Sequence, residues 1–88
     1  MSVTVLVPQQ LRSYTAGVAT ISGKGTSIDT VMNDVDRQYP GIRFRVIDEQ
    51  GKIRAHMRVF VNGVRARKIQ ERVSAGAEVH IFGALSGG

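Results

Sequence analysis

One stripe of apolar residues at helical spacing constrains the fold of this chain more than any other feature. The stripe follows the i, i+3, i+4, i+7 pattern of a helix face and consists of Ile28, Val31, Met32, Val35 and Tyr39. Thr26 or Ser27 offers the N-cap, and Asp29 follows Thr26 at the spacing of a capping box. Pro40-Gly41 ends the pattern. The sequence therefore predicts one main helix that buries a single face.

Two strand patterns precede this helix. Residues 2–7 alternate valine with serine, threonine and leucine, and because both faces are largely apolar they predict a strand inside a sheet. A second pattern covers residues 14–22, with Val18 and Ile21 as expected core contacts, although residues 15–18 also suit a turn. The short separation of the two patterns predicts an antiparallel hairpin.

The segment after the helix has a mixed pattern. Basic and apolar residues alternate over residues 42–47, with Ile42, Phe44 and Val46 on one side and Arg43, Arg45 and Ile47 on the other. Residues 48–52 have the composition of a turn before the short stretch 53–55. We predict a short strand or an extended excursion for this segment.

A hairpin is the clearest pattern in the second half of the chain. Residues 57–61 alternate as a strand does, and Asn62-Gly63 suits a turn in which both central residues take a positive φ. Residues 64–66 form the short returning strand. Ile69 and Val73 are the expected core anchors of the segment that follows.

The last strand pattern follows a turn at Ala75-Gly76. Its apolar residues, Val79, Ile81 and Phe82, predict a buried strand in the middle of the sheet. A hairpin, a crossover helix and a last strand beside the first describe an α+β fold with a mixed sheet of four to five strands. This is the β-grasp arrangement of ubiquitin-like proteins. We predict that residues 1–88 form one such domain, in which residues 83–88 are a flexible C-terminal tail.

Length and composition bound the class of protein. At 88 residues, 42% hydrophobic and 22% charged, the chain suits one globular domain. The first apolar run is too short for a signal peptide and lacks a basic start, which predicts a cytoplasmic protein without a membrane segment.

The absence of cysteine excludes disulfides and thiolate metal sites. His56 and His80 have no partner at metal-ligand spacing, so no metal site is predicted.

Positive charge is concentrated in the second half of the chain. The net charge is +5, and residues 43–72 hold nine basic residues against three acidic ones, a net of +6. This segment suits a phosphate-binding surface, a docking face for an acidic partner, or a solvated face with scattered arginines. Only Phe44 and Phe60 interleave with the charge, so a nucleic-acid-binding module is the less favoured interpretation.

The chain loses side-chain bulk toward its end and stops at Gly87-Gly88. Because glycine lacks Cβ, such a terminus can pass through a channel too narrow for side chains. Residues 83–88 could extend about 20 Å. The terminal carboxylate is ionised at neutral pH and needs activation, most simply as a mixed anhydride with a nucleotide phosphate. A frayed terminus is the alternative interpretation of Gly87-Gly88.

No paired carboxylates, nucleophile triad or phosphate loop is visible in the sequence, so the chain is not expected to be an enzyme.

Together these features resemble the ThiS/MoaD-type sulfur carrier proteins, over nearly the whole chain. The resemblance rests on four stretches: residues 3–8, the helix end Tyr39-Pro40-Gly41, residues 59–63 and residues 79–88. In its length and its extra segment at residues 42–55, the chain is more similar to the MoaD-like and CysO-like carriers than to the shorter thiazole-pathway carriers.

The resemblance implies a function for the tail. In this family the terminal glycine, here Gly88, is adenylated by an E1-like adenylyltransferase and then converted to a thiocarboxylate. A sulfur donor protein would load it, and a sulfur-accepting synthase would unload it in cofactor, cysteine or related biosynthesis. The carrier would bind no cofactor, and ATP would be used by the activating partner. Gly87, Ser86, Leu85 and Ala84 would lie in the partner's groove.

The resemblance also implies a docking surface, the apolar sheet face near Phe60 and Phe82. The sequence departs from the family after the Asn-Gly turn, where acidic residues are common and this chain has Val64-Arg65-Ala66-Arg67. That departure indicates an unusual partner. Two alternatives stay open: a ubiquitin-like modifier joined to lysines through Gly88, which shares the activation step, and a small interaction domain with an inert tail.

Overall fold

The computed structural model describes residues 2–83 of the chain. Its strands and helices, in chain order, are β1 (Ser2–Leu6), a 3₁₀ helix (Gln9–Thr15), β2 (Thr20–Lys24), α1 (Ile28–Gln38), α2 (Ile42–Val46), β3 (Met57–Val61), β4 (Val64–Ala66) and β5 (Glu78–Gly83). In this part of the chain the strands form one sheet in the order β2-β1-β5-β3-β4.

The last strand lies in the middle of the sheet, between the first and the third. β1 and β2 pair antiparallel, which confirms the predicted hairpin. β5 runs parallel to β1, with Val79 opposite Val5, and antiparallel to β3, with Ile81 opposite Val59. Parallel neighbours need a long connection, and residues 7–77 provide it. The predicted mixed sheet of β-grasp topology is confirmed.

Alternation along the strands separates a core face from an open face. The core face is almost completely buried and includes Val3, Val5, Val59, Val79 and Ile81. It forms one cluster with the apolar stripe of α1, namely Ile28, Val31, Met32 and Val35. On the open face Ser2 and Thr4 are exposed, so the prediction that both faces of the first strand are largely apolar was wrong. A helix layer covers only one side of a sheet, which leaves the other side polar.

Helix α1 begins with a capping box formed by Ser27 and Thr30. The Thr30 backbone N–H donates to Ser27 Oγ at 3.2 Å, and the Ser27 N–H donates to Thr30 Oγ1 at 3.0 Å. Ser27 was one of the two predicted caps. The predicted pairing of Thr26 with Asp29 was wrong, because the Thr30 hydroxyl takes the acceptor role that a carboxylate often has. Asp29 still places negative charge in the first turn.

Residues 42–46 form helix α2, so the predicted strand or extended excursion was wrong here. Ile42 and Val46 are fully buried and lie one helical turn apart, whereas Phe44 is 54% exposed. In a short run, apolar residues at every second position also satisfy the i, i+4 spacing of a helix. The alternation alone therefore does not separate the two structures.

Side chains of α1 fix the start of α2. Asp36 Oδ1 accepts hydrogen bonds from the backbone N–H groups of Gly41 and Arg43 at 3.0 and 3.1 Å. Gly41 has a φ of 99°, a left-handed value that glycine adopts without a steric penalty. Arg43 Nη2 lies 2.9 Å from Asp29 Oδ1, so an ion pair also joins the two helices. These long-range contacts stabilise the helix.

The strand predicted over residues 14–22 starts later than expected. The 3₁₀ helix comes first, and Gly17 then turns the chain with a φ of 85°. Thr15 Oγ1 donates to the carbonyl of Val18 at 2.7 Å and stabilises this turn. Val18 is 47% exposed and is not the predicted core contact, whereas Ile21 is buried as predicted. The alternative of a turn before the strand is confirmed.

The β3-β4 hairpin follows its prediction. Asn62 and Gly63 have φ values of 50° and 84°. The Asn62 side chain also accepts a hydrogen bond from the Glu78 N–H at 2.9 Å, which ties the hairpin turn to the start of β5. Ile69 and Val73 are buried, as expected of core anchors.

We expect Ser27→Ala to lower the free energy of unfolding by about 1 kcal/mol, because alanine cannot accept the hydrogen bond from Thr30. Thr26→Ala is the matched control, since in the described residues Thr26 contributes its backbone N–H to the cap. Urea denaturation measures both variants. Equal losses in the two variants would contradict the assignment of the cap to Ser27.

Candidate functional site

The predicted site is the C-terminal tail, and the structure describes the strand that leads into it. The predicted tail residues Ala84, Leu85, Ser86, Gly87 and Gly88 lie outside the described residues. Gly83, which the sequence assigned to the tail, is the last residue of β5 and pairs with Met57 of β3. A glycine resembles a tail residue in sequence, but its backbone can form the same ladder as any other. The strand therefore extends one residue into the predicted tail.

Gln10 lies directly against Gly83. The side-chain amide of Gln10, on the 3₁₀ helix, occupies the space that a Cβ on Gly83 would fill. The absence of a side chain on Gly83 thus lets the 3₁₀ helix approach the end of β5. The sequence gives no signal for this contact, since the two residues are far apart in the chain.

Three rings form an aromatic patch on the open face of the sheet, and we define it as Phe60, His80 and Phe82. The Phe60 and Phe82 rings meet edge to face, with centroids 5.3 Å apart. His80 stacks on Phe82 with a centroid distance of 3.9 Å. The structure thus brings together the two predicted docking residues and adds His80. An edge-to-face pair has a preferred geometry, so the patch has a defined shape.

Phe82 is 43% exposed, which corrects the prediction that it is buried beside Val79 and Ile81. Successive side chains of a strand point to opposite faces, so Ile81 faces the core and Phe82 faces outward. Phe82 directly precedes Gly83, the last described residue. The patch therefore offers apolar surface to a partner immediately before the tail.

A basic groove lies beside the aromatic patch. Four arginines, Arg54, Arg58, Arg65 and Arg67, line this cavity of about 220 Å³. Arg58 is the cross-strand partner of Phe82, so the groove begins next to the patch. The pKa of Arg65 is below its usual value, mainly because neighbouring protein atoms partly desolvate its charge and also because Arg67 and Arg58 repel it. The sequence located the excess charge, but only the fold shows that these side chains converge.

A carboxylate fixes the segment that follows the groove. Glu71 Oε2 accepts hydrogen bonds from the backbone N–H groups of Arg67 and Lys68 at 2.7 and 3.1 Å. These bonds hold the pKa of Glu71 below its usual value, because they stabilise the ionised form. Glu71 therefore acts as a structural acceptor in this turn.

Residues 2–83 contain no group of three histidine, cysteine, aspartate or glutamate side chains that could hold a metal ion. Over the same range, every helix is too short or too polar to span a bilayer.

A comparison with models of known protein families shows which family this chain belongs to. The ThiS family model matches residues 5–88. The chain belongs to the ThiS family. Among curated proteins it is similar to the sulfur carrier protein CysO of Mycobacterium tuberculosis and of Mycobacterium bovis, at 31% identity over 93 aligned residues and the full length of both chains. The resemblance to sulfur carriers drawn from the sequence is confirmed.

Solved structures share the fold of this ThiS-family chain. A chain of the Amycolatopsis orientalis BexX/CysO complex matches with a TM-score of 0.90 and 29% identity, over 98% of this chain and 99% of that one. Mycobacterium tuberculosis CysO matches with a TM-score of 0.88 and 28% identity, over 94% and 99%. SAMP1 from Haloferax volcanii matches with a TM-score of 0.82 over all of both chains, but at 24% identity it shows the fold alone. The ubiquitin-like fold is therefore shown.

Adjacent substitutions in β5 test which side chain faces the core. We expect Ile81→Ala to lower the free energy of unfolding by about 2–5 kcal/mol, because it leaves a cavity in the core. Phe82→Ala should cost about 1 kcal/mol, since its ring contacts lie at a half-exposed site. Urea denaturation of the two variants gives the comparison. A loss for Phe82→Ala as large as that for Ile81→Ala would contradict the assignment of faces.

Proposed function

We propose that this ThiS-family chain is a sulfur carrier whose Gly88 carboxyl group is adenylated and then converted to a thiocarboxylate. The observation that carries the proposal is the similarity to CysO, a sulfur carrier protein, over the full length of both chains. The chain also ends in Gly87-Gly88, a terminus narrow enough to enter a partner's active site. The carrier supplies the reacting group, and other proteins supply the catalysis.

The chemistry needs two steps at one carbonyl. In the first, a Gly88 carboxylate oxygen attacks the α-phosphorus of ATP on an E1-like adenylyltransferase, and pyrophosphate leaves. In the second, a sulfide equivalent from a sulfur donor protein attacks the carbonyl carbon, and AMP leaves. The product is a thiocarboxylate, whose sulfur a synthase accepts in cofactor, cysteine or related biosynthesis. Activation is required because an ionised carboxylate is a poor electrophile.

The aromatic patch is the docking surface in this proposal. Phe82 directly precedes Gly83 on the central strand, so a partner that contacts the ring also lies close to the start of the tail. The related CysO of Amycolatopsis orientalis forms a complex with BexX, which supports the expectation that this chain also acts bound to partner proteins. Because activation consumes ATP, we place the reaction in the cytoplasm.

Sulfur transfer is favoured over protein conjugation. The relatives that match at 31% identity over their full length are sulfur carriers. The archaeal modifier proteins match at 24% identity or lower. At that identity the similarity supports a shared fold but not a shared function. The loading experiment separates the two functions, because conjugation would join Gly88 to a lysine of another protein.

The loading experiment combines the chain with ATP, sulfide and an E1-like enzyme from the same genome. We expect the intact mass to rise by the difference between one sulfur and one oxygen atom, with the change on the C-terminal peptide. A variant that lacks Gly87 and Gly88 should gain nothing. Loading of Phe82→Ala should be about tenfold slower, as for a residue central to an interface, whereas Val64→Ala, at an exposed apolar site on β4, should load normally.

Two outcomes would contradict the proposal. One is the absence of any mass gain in the intact chain with an enzyme that activates its own cognate carrier. The other is the same mass gain in the variant that lacks Gly87 and Gly88, which would place the modification elsewhere.

A further inference from the structure

We propose that the basic groove binds an acidic segment of the enzyme that loads the tail, as a second contact beside the aromatic patch. This inference rests on the proposed function, because it assumes an enzyme that acts on the tail. The groove itself is defined by four arginines from two parts of the chain: Arg54 from the loop before β3, Arg58 from β3, Arg65 from β4 and Arg67 just after β4.

Within residues 2–83, none of the four groove arginines is in a direct ion pair; the carboxylates that attract them, Glu71 for Arg67 and Asp48 for Arg54, lie beyond ion-pair distance. The ion pairs found in residues 2–83 join Arg37 to Asp34 and Arg43 to Asp29, away from the groove. Arg67 and Arg58 instead lie close enough to Arg65 to repel its charge. A bound carboxylate would remove this repulsion and would form charge-assisted hydrogen bonds with the guanidinium groups.

Two of the guanidinium groups are held in place by the protein backbone. Arg58 Nη1 donates to the carbonyl oxygens of Ala55 and Met57 at 2.6 and 2.9 Å. Arg54 Nε donates to the carbonyl of Phe44 at 2.6 Å. A guanidinium group has five N–H donors, so each arginine keeps others for a ligand. Because these side chains are already ordered, a ligand loses less entropy when it binds them.

The shape of the basic surface favours an extended chain over a compact anion. A neighbouring cavity of about 490 Å³ shares Arg67 with the groove and adds Lys52 and Lys68. The positive charge therefore extends over two adjoining cavities, which is more surface than a single phosphate or carboxylate covers. An acidic peptide segment, with a carboxylate at successive positions, matches this distribution.

A single-stranded nucleic acid fits the surface less well, because its bases bind by stacking on aromatic faces. The guanidinium of Arg54 lies 4.4 Å above the centre of the Phe44 ring and covers one face of it. Phe60 is engaged with Phe82 in the aromatic patch. Each of the two phenylalanines near the charge therefore already has a contact on its ring, which leaves less aromatic surface on which bases could stack.

The position of the groove explains what such a contact would do. Arg58 and Phe82 are cross-strand partners, and Gly83 follows Phe82. A segment bound in the groove would hold the enzyme next to the aromatic patch and would orient it at the end of β5. Two separate contacts restrict rotation of the carrier on the enzyme more than one contact can.

The test uses a short polyglutamate peptide as the probe, with polyglutamine of equal length and oligouridylate as comparison ligands. Binding to the full chain is measured at low salt by NMR. The groove variant is Arg65→Gln with Arg67→Gln. The matched control is Lys24→Gln with Arg37→Gln, which removes the same charge from exposed sites outside the groove.

We expect the groove variant to bind polyglutamate about tenfold more weakly than the intact chain does, because it loses direct ion pairs with the peptide. The control variant loses no direct ion pair with the peptide, so its affinity should change by less than about twofold. Amide shifts should map to β3, β4 and residues 53–55. Equal weakening in both variants, comparable binding of polyglutamine, or tighter binding of oligouridylate than of polyglutamate would overturn the inference.

The outcome is separable from that of the loading experiment, because peptide binding does not use the tail. The variant without Gly87 and Gly88 should bind polyglutamate as the intact chain does. A chain that gains sulfur but shows no groove-dependent binding would refute this inference alone. A chain that binds polyglutamate in the groove but never gains sulfur would refute the proposed function and keep the groove as an acidic-peptide site.

Discussion

The parallel pairing of β1 with β5 is the interaction on which the rest of the structure depends. Val79 lies opposite Val5, and the Thr4 N–H donates to the carbonyl of Ala77 at 2.9 Å just before β5 begins. This pairing joins the β1-β2 hairpin and α1 to the β3-β4 hairpin across most of the sequence. Such non-local contacts cost loop-closure entropy, and burial of β5 between two strands offsets it.

The same strand supplies both the core and the candidate site. Val79 and Ile81 fill the space under α1, while His80 and Phe82 project from the opposite face. Because the helix layer covers one face only, the other face is available to a partner. The aromatic patch lies where β5 meets β3, and the basic groove lies along β3 and β4, so a partner that uses both would contact β3.

The sequence predicts those parts of the fold that repeat with a clear period or use a special turn. The stripe of α1 and the Asn62-Gly63 turn are examples, since helical spacing and positive φ are local properties. Helix α2 was missed because its start depends on Asp36, a residue of another helix. The contact of Gln10 with Gly83 and the convergence of the four groove arginines were missed for the same reason: both arise only when distant segments meet.

Native-state amide hydrogen exchange tests most directly whether β5 is the firmly held centre of this fold. The account predicts that the ladder amides of β5, together with Thr4, exchange only through global unfolding, with an opening free energy equal to that from urea denaturation. Exchange of the β5 amides at a clearly lower free energy, while the β1-β2 hairpin stays protected, would contradict it. The tail would then be attached to a strand that detaches by itself.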